Sequence, residues 1–415
     1  MKHIIIAFLA IMLLLSPWVV KSFPNTIKYV SENYIKNASE FLASVIHKPV
    51  QVADMKSRYS NSTNKINILI VPGHEPSFGG AEYSDLKERD MNVELSNSLA
   101  EFFSRNSHYN VNISRDKQSW NPVLSNYFAN HWDEIVAFLK DSKDEVLTSI
   151  QNGSMKLDNN GLFHNKAPRD VAYRLYGINK WGNENNIDIA IHVHFNDYPR
   201  KNTSSPGKYS GLTIYVPESS FQNNASTVAV ADTIFKRLTK YNAKSNLPKE
   251  DDGIVEDSDL IAIGAYNSSN AASMLIEYGY IYEPQFSDQY VREASLRELA
   301  YQTYLGVEDF FNQNNQNGIA YDTLVLPYTW KNTLDEKSIE KNDIFALQTA
   351  LTLDGVYPPQ GKQKNDCPRT GKIGPCTKAS ILEFQKKYGI TGEGGVVGKK
   401  TLDILNNKFS VKQVI

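Results

Sequence analysis

The sequence lacks an excess of charge of either sign. Over 415 residues, 44 lysines and arginines are balanced by 46 aspartates and glutamates, which leaves a formal net charge of -2. Nucleic-acid binding depends on a basic surface, so this balance gives no electrostatic case for a nucleic-acid partner. The hydrophobic fraction of 41% is ordinary for a globular protein and argues against a mainly disordered chain. A chain of this length predicts two or three domains.

Cysteine is scarce as well. The only two, Cys367 and Cys376, lie in one short loop near the C-terminus, and the region 338–407 around them contains no histidine. A zinc site formed by these cysteines is therefore not expected. In a protein that leaves the cytoplasm, Cys367 and Cys376 are expected to form a disulfide, and a pair of free thiols is the alternative.

A long apolar run occurs only at the N-terminus, where residues 4–20 are nearly all apolar and flanked by lysines. This pattern predicts a secretory signal peptide or a membrane anchor within residues 1–22. The run is short for a spanning helix, and Pro17 interrupts its end. However, no clean cleavage site follows it, which slightly favours the uncleaved anchor. Either way, the rest of the chain is expected to be extracytoplasmic, as a secreted or membrane-anchored protein.

The region that follows the first buried strand contains two candidate metal ligands. The β-branched run 66–71 predicts that strand, and His74 follows it directly after Pro72-Gly73. Open α/β sheets bind ligands at this carboxyl edge. Glu88 opens the next predicted helix on its apolar stripe, where a carboxylate is costly unless something pairs with it. A metal ion would pair with Glu88, and His74 would be a suitable second ligand.

Two later apolar stretches contain further ionisable residues. The stretch 187–196, IDIAIHVHFN, predicts a second buried strand that ends in histidines, and 274–280, MLIEYGY, predicts a third with Glu277 in its middle. An ionisable residue inside a buried strand is a functional-site candidate. His192 and His194 are two residues apart on a strand, so both face the same side and either could be a ligand. Two histidines and two glutamates suffice for three zinc ligands and a general base.

The order of these residues resembles that of the zinc-dependent N-acetylmuramoyl-L-alanine amidases of cell-wall turnover. The resemblance runs from about residue 66 to about residue 312. It rests on PGHEPSFGG at 72–80, KERD at 87–90, SRD at 114–116, AIHVHFN at 190–196 and LIEYGY at 275–280. Two departures stand out: Glu-Pro-Ser-Phe occupies the place of one residue in the first motif, and His192 replaces a serine.

The resemblance implies an α/β fold, with a mixed sheet flanked by helices over residues 66–312. It also implies that His74, Glu88 and His194 bind Zn²⁺ and that Glu277 is the catalytic carboxylate. The implied activity is hydrolysis of the amide bond between N-acetylmuramic acid and L-alanine in peptidoglycan, by a zinc-activated water.

Three other residues have expected roles outside the metal ligand set. The alignment of Asn196 with the family motif favours His194 over His192 as the ligand. His192 and Asn196 are then expected to contact the substrate or to support the ligands. Arg115, in the SRD motif, is expected to be structural rather than catalytic.

Two alternative functions remain open from the sequence. A zinc peptidase that cuts within the stem peptide would use the same site chemistry. A catalytically inactive cell-wall-binding protein could keep the fold after its zinc site has decayed. The altered first motif and His192 keep this second alternative open, although all four key side chains are present.

Two stretches of the catalytic region are predicted to lie outside the sheet. The insertion 117–166 is longer than expected between strands and includes a predicted helix over 130–150. In some amidases of the resembled family, a helix covers the zinc site until an activator protein moves it. Glu134, Asp141, Asp144 and Glu145 could supply such a plug, but a solvated helix face is the favoured interpretation. The stretch 254–266 predicts a loop that borders the cleft.

The C-terminal region 338–407 resembles the three-helix, all-α peptidoglycan-binding domain found beside many wall hydrolases. The matching segments are LQTAL at 347–351, GKIGPCT at 371–377, EFQKKYGI at 383–390 and GVVGKKTL at 395–402. The loop before Gly371 is longer than usual. The resemblance implies peptidoglycan as partner and a cell-wall location. The remaining segments predict a spacer over 23–65 and a linker over 313–337.

Overall fold

The structure, a computed structural model, describes residues 48–61, 64–156, 167–312 and 325–410. The apolar segment 4–20, much of the expected spacer and the first part of the expected linker lie outside these residues. In the described part of the chain, no helix is long and apolar enough to cross a membrane. The contacts divide the chain into two units, Met1–Lys48 and Pro49–Ile415, and all elements below belong to the second.

A mixed β-sheet carries the candidate site. The strands are β1 (Ile66–Pro72), β2 (Glu82–Tyr83), β3 (Leu86–Lys87), β4 (Tyr109–Ile113), β5 (Ile189–Asn196), β6 (Thr213–Pro217), β7 (Ile254–Asp257) and β8 (Ala272–Tyr280). The six-stranded sheet has the order β4-β1-β5-β8-β6-β7, and β2 pairs with β3 separately. Neighbours among β4, β1, β5 and β8 are parallel, whereas β6 runs antiparallel to β8. The carboxyl ends of β1, β5 and β8 therefore meet at one edge.

Helices flank the sheet, as the sequence predicted. In chain order they are α1 (Val52–Ser60), α2 (Glu88–Ser104), α3 (Pro122–Asn130), α4 (Trp132–Gln151), α5 (Arg169–Glu184), α6 (Asn224–Tyr241), α7 (Pro284–Ser287), α8 (Gln289–Phe311), α9 (Lys341–Leu353), α10 (Pro375–Lys387) and α11 (Lys399–Phe409). Three short 3-10 helices lie at Pro248–Glu250, Ile261–Ile263 and Ala265–Asn267.

The two faces of the sheet bury different helices because side chains alternate along each strand. Ile68 and Ile70 of β1 pack in the larger core with α2, α6 and α8. Leu69 and Val71, their neighbours on the other face, pack with α3, α4 and α5. The central strands are thus buried on both faces, which explains their nearly continuous apolar sequences.

The segment Ile254–Asp257, predicted as part of a loop, forms strand β7. Its four residues, IVED, pair in parallel with β6 at the edge of the sheet. Because the segment is short and has charged residues, its composition resembles that of a loop, and only its pairing with β6 identifies it as a strand.

The segment just before β1 is not a spacer along its whole length. Helix α1 lies within the expected spacer 23–65, yet Met55 is fully buried in the larger core. Arg58 forms an ion pair with the buried Asp188, and the Val50 amide donates to the Asn270 carbonyl at 2.8 Å. The described residues that precede β1 therefore pack against the catalytic region.

The C-terminal helices α9, α10 and α11 share a separate core. It includes Ile344, Phe384 and Leu405, and also Trp330 and Leu334 from the expected linker. Residues from about 325 onward thus belong to this core rather than to a free linker. The disulfide expected between Cys367 and Cys376 is formed.

The C-terminal helices contact the catalytic region directly. Arg369 and Glu298 of α8 form an ion pair at 2.7 Å, with 7% and 4% of their side chains exposed. Val291, also on α8, lies in the C-terminal core. The Asn365 side chain donates to the Ser210 carbonyl at 3.2 Å. Both Asn365 and Arg369 lie in the long loop before Gly371, so this loop joins the two regions.

Candidate active site

His74 is positioned by the sharp turn at the end of β1. Its backbone has φ +68°, in the left-handed region that side-chain-bearing residues rarely adopt. The Gly73 amide donates to the Val193 carbonyl at 2.9 Å, which ties the turn to β5. A Cβ atom on Gly73 would lie 2.2 Å from Cε1 of His194. Only glycine therefore lets the β1 turn and the β5 histidine come this close.

Glu88 is the first residue of α2, and its carboxylate is oriented by backbone amides. The Ala81 amide donates to Oε2 at 2.8 Å, and the Phe195 amide donates to Oε1 at 3.2 Å. Asn92, one helical turn later, is fully buried, and its side chain donates to the Gly73 carbonyl at 3.3 Å. The helix, the β1 turn and β5 thus all meet at this carboxylate.

The structure brings His74, Glu88 and His194 together. Nε2 of His74 lies 2.8 Å from Oε1 of Glu88, and Nδ1 of His194 lies 3.1 Å from the same oxygen. One ligand atom from each of the three residues lies within 4.8 Å of the others. Two imidazoles and one carboxylate are a donor set typical of catalytic zinc sites.

The chemistry of these three groups fits a cation. Burial alone would raise the pKa of Glu88, but the charge of His74 and the close contacts of the His194 and His74 imidazoles outweigh it. The pKa of Glu88 therefore lies well below its usual range, so the carboxylate is ionised. Although Nε2 of His74 is close to this carboxylate, it has no well-aligned hydrogen bond to any described residue. A metal ion would satisfy this buried nitrogen and the carboxylate together.

Glu277 lies beside this group in the centre of the sheet. In the strand register it is opposite His194 on one side and Thr213 on the other. Its Oε2 is buried and has no hydrogen-bond partner among the described residues. Burial raises the pKa of Glu277 well above its ordinary value, and the negative charges of Glu88 and Glu250 raise it further. Such a carboxyl group holds a proton readily, as a general acid or base must.

Glu250 is a neighbour of the site that the sequence did not reveal. It is fully buried in the 3-10 helix Pro248–Glu250. The Asn196 amide and the Tyr215 hydroxyl donate to its Oε1 at 2.9 and 2.6 Å, and the hydroxyls of Ser245 and Tyr280 donate to its Oε2. Because Glu250 is followed by two aspartates, its sequence context is typical of an exposed acidic turn, and nothing local distinguishes it.

Asn196 and Arg115 support the site rather than border open solvent. The Asn196 side chain donates to Glu250, as described above. The Arg115 guanidinium is buried and donates to the backbone carbonyls of Pro72, Gly73, Asp116 and Arg89. These bonds hold the β1 turn that carries His74, which agrees with a structural role for Arg115.

His192 lies apart from the three candidate ligands. Its side chain is 1% exposed, and it lines a small cavity with Ile178, Asn179 and Asn183 at helix α5. Burial lowers the pKa of His192 to about 3, and the charge of His194 contributes to this shift. A substrate-facing role for His192 does not fit this placement, because α5 covers the strand face at this depth.

One of the residues that lengthen the first motif makes buried contacts of its own. Glu75, directly after His74, is buried and forms an ion pair with Arg174 of α5 at 2.7 Å. The Trp120 indole donates to the same carboxylate at 3.2 Å. The extra residues thus connect the β1 turn to α5 and to the start of the 117–166 insertion.

The described helices of the insertion, α3 and α4, pack on α5. Ile135 and Val146 of α4 are buried. Glu134 pairs with His131 and Lys180, and Asp144 pairs with Lys140. These acids therefore form a solvated helix face, as the favoured interpretation held. Residues 157–166 of the insertion lie outside the described residues.

Replacing Glu134, Asp141, Asp144 and Glu145 together by their amides is expected to change kcat/KM by no more than about twofold, because surface substitutions have small effects. The measurement is wall-hydrolysis kinetics of the quadruple variant beside the parent protein. A tenfold gain in activity would instead identify α4 as an inhibitory plug.

Comparison with protein families gives two matches. A family model described as N-acetylmuramoyl-L-alanine amidase matches residues 68–309, and a model described as a peptidoglycan binding domain matches residues 340–405. No curated protein matches the chain.

Several solved structures are similar to this chain. The CwlD amidase from Clostridioides difficile, solved in complex with the GerS lipoprotein, has 16% identity and a TM-score of 0.40, over 60% of this chain and 100% of that one. The amidase Ami1 from Mycobacterium smegmatis has 11% identity and a TM-score of 0.39, over 60% and 98%. The amidase AmiC2 of Nostoc punctiforme has 14% identity and a TM-score of 0.35, over 60% and 98%.

Proposed function

Because the chain belongs to the N-acetylmuramoyl-L-alanine amidase family and hydrolyses the amide bond between N-acetylmuramic acid and L-alanine in peptidoglycan, we propose that it does so with a zinc ion bound by His74, Glu88 and His194. The observation that supports this most strongly is the convergence of these three side chains beside the buried Glu277, whose Oε2 has no hydrogen-bond partner among the described residues. We propose Glu277 as the catalytic carboxylate.

Zinc fits these donors better than magnesium or calcium, which prefer sets made entirely of oxygen ligands. When bound, zinc would polarise the amide carbonyl and lower the pKa of a water in its open coordination position to about 7. The Ala81 and Phe195 amides keep the Glu88 carboxylate in one orientation for this role. Asn92, hydrogen-bonded to the β1 turn, holds the second helical turn of α2 against the site.

Glu277 moves the proton in this mechanism. Its carboxylate accepts a proton from the attacking water, and its burial beside Glu88 and Glu250 makes the protonated form stable. The same proton then passes to the amide nitrogen of L-alanine as the carbon–nitrogen bond breaks. Glu250, held by four hydrogen-bond donors, contributes to the raised pKa of Glu277 and so favours proton uptake by that carboxylate.

The family match does not favour a peptidase that cuts within the stem peptide or an inactive wall-binding protein. The C-terminal region binds peptidoglycan. Because peptidoglycan lies outside the cytoplasm, the protein acts extracytoplasmically. We propose a catalytic domain over 66–312, extended by α1, and a peptidoglycan-binding domain over 338–407, extended toward residue 325. Binding to the insoluble wall would raise the local substrate concentration.

We propose two further partners. One is an activator protein, since one similar amidase was solved with a lipoprotein bound. The other is the membrane, which residues 4–20 would contact if they remain as an anchor. Hydrolysis of walls by the purified chain alone would exclude the need for an activator.

The test combines metal analysis with product analysis on protein that lacks residues 1–22. We expect one zinc per chain and release of stem peptides with a free N-terminal L-alanine. Chelation should abolish turnover and added zinc should restore it, because the metal supplies the Lewis acid. Cleavage inside the stem peptide would contradict the amidase assignment, and full activity without metal would contradict the zinc site.

A further inference from the structure

An exposed aromatic pair lies on the segment that connects β5 to β6. Tyr198 and Tyr209 have ring centroids 4.6 Å apart at an interplanar angle of 83°. Tyr198 is 37% exposed, whereas Tyr209 is partly buried against the larger core. Nζ of Lys208 lies 4.7 Å from the centre of the Tyr209 ring. The pair therefore presents one partly exposed ring, Tyr198, in edge-to-face contact with a second ring that lies close to a cation.

Both ends of this segment are fixed at the active site. It leaves β5 after Asn196 and returns at β6, where Thr213 pairs with Glu277. Tyr198 follows the candidate ligand His194 by four residues, so their Cα atoms are at most about 14 Å apart. The Tyr209 ring also lies 6.5 Å from Tyr280, at the end of β8. The aromatic pair thus borders the carboxyl edge of the sheet where the amide is cleaved.

The segment is held in shape before any substrate binds. Arg200 forms an ion pair with Asp197 and donates to the Glu82 carbonyl at 2.7 Å. Its guanidinium lies near the rings of both Tyr83 and Tyr282, 5.6 and 5.5 Å from their centres. A binding surface that is already ordered loses little conformational entropy when a ligand binds.

The chemistry of the surface fits a carbohydrate. The scissile carbonyl belongs to the lactyl group carried by the sugar, so the glycan must pass close to the metal ligands. Tyrosine presents an apolar ring face and a polar hydroxyl, which matches the apolar face and hydroxyl rim of a sugar ring. The exposed residues Asp197, next to Tyr198 in the chain, and Lys208, next to Tyr209, add polar groups beside the pair.

We propose that Tyr198, supported by Tyr209, forms a subsite for the glycan strand, beyond the muramic acid whose amide is cleaved. This proposal rests on the amidase function above. The ring of Tyr198 stacks on a neighbouring sugar and lowers KM for substrates with several sugars. It does not take part in the chemical step.

The test compares a single-sugar N-acetylmuramoyl peptide with a longer glycan that carries the same peptide. In the parent protein the longer substrate should have the lower KM. In Tyr198→Ala this KM advantage should shrink about tenfold with kcat preserved, since one aromatic stack is lost. Tyr198→Phe should retain the advantage because the ring remains, and this recovery would not be seen if the hydroxyl were the important group.

Two control variants test whether the KM effect is specific to Tyr198. Tyr290 is 65% exposed on α8, and Tyr290→Ala should leave the KM advantage unchanged. Phe78 is 46% exposed on the segment after His74, and it is the rival aromatic contact. An unchanged KM advantage in Tyr198→Ala, or its loss in Phe78→Ala instead, would overturn the subsite. Failure of the amidase assignment would look different, because the parent protein would then release L-alanine peptides from neither substrate.

Discussion

Replacing Glu277 by glutamine lowers kcat by about 10²- to 10⁴-fold, the usual contribution of a general acid–base residue. Zinc content is expected to stay at the parental level, because His74, Glu88 and His194 are untouched. Glutamine has nearly the shape of glutamate, so the central strand should remain packed. The measurements are steady-state kinetics on walls and metal analysis of the same purified sample.

The matched control for this substitution is Glu308→Gln. Glu308 is a partly buried carboxylate that accepts hydrogen bonds from Tyr59, Tyr109 and Asn106, near the start of β4. We expect its kcat to match that of the parent. Parental turnover by pure Glu277→Gln would show that another group moves the proton. Loss of zinc in this variant would assign Glu277 to the metal shell instead.

Replacing Gly73 by alanine is expected to displace His194 and to lower zinc affinity by about 10- to 100-fold, as loss of ligand support typically does. The added Cβ would lie 2.2 Å from Cε1, 2.4 Å from Nε2 and 2.6 Å from Nδ1 of the His194 ring. The backbone has little freedom to move away, because the Gly73 amide bonds to Val193 and its carbonyl accepts from Arg115 and Asn92. The imidazole must therefore turn. Zinc titration and wall hydrolysis measure the effect.

Gly182→Ala is the control for adding a methyl group at a buried glycine. Its Cβ would meet Ile187 at 3.7 Å, an ordinary contact. Because Gly182 lies within α5, alanine should also favour the helix slightly. We expect parental zinc affinity and activity. If Gly73→Ala is well folded by circular dichroism and binds zinc as the parent does, His194 is not the ligand in the position proposed here.

Much of the architecture could be predicted because it depends on local patterns. The apolar runs around 66–71, 187–196 and 274–280 became β1, β5 and β8, since buried parallel strands need continuous apolar sequence. His74 could be identified because it directly follows such a run. Glu88 could be identified because a carboxylate interrupts the apolar stripe of α2.

Other features depend on residues that are distant in the chain. Glu250 looks like part of an acidic turn, yet Asn196, Tyr215, Ser245 and Tyr280 surround it. No local pattern encodes such a group, because its hydrogen-bond donors come from separate strands and loops. The packing of α1 and of the C-terminal helices on the catalytic region was missed for the same reason.

By itself, the sequence determined the apolar strand segments, their succession along the chain and the small set of histidines and glutamates that could bind a metal, since each follows from local periodicity and strand ends. The mixed α/β class was implied by the resemblance to the amidase family. Only the tertiary structure decided between His192 and His194 as the residue that joins His74 and Glu88. Both histidines face the same side of β5, but α5 covers His192, whereas His194 reaches the strand end where the β1 turn and α2 converge. Local sequence specifies the face of a strand, and the packing of distant elements specifies which part of that face stays open.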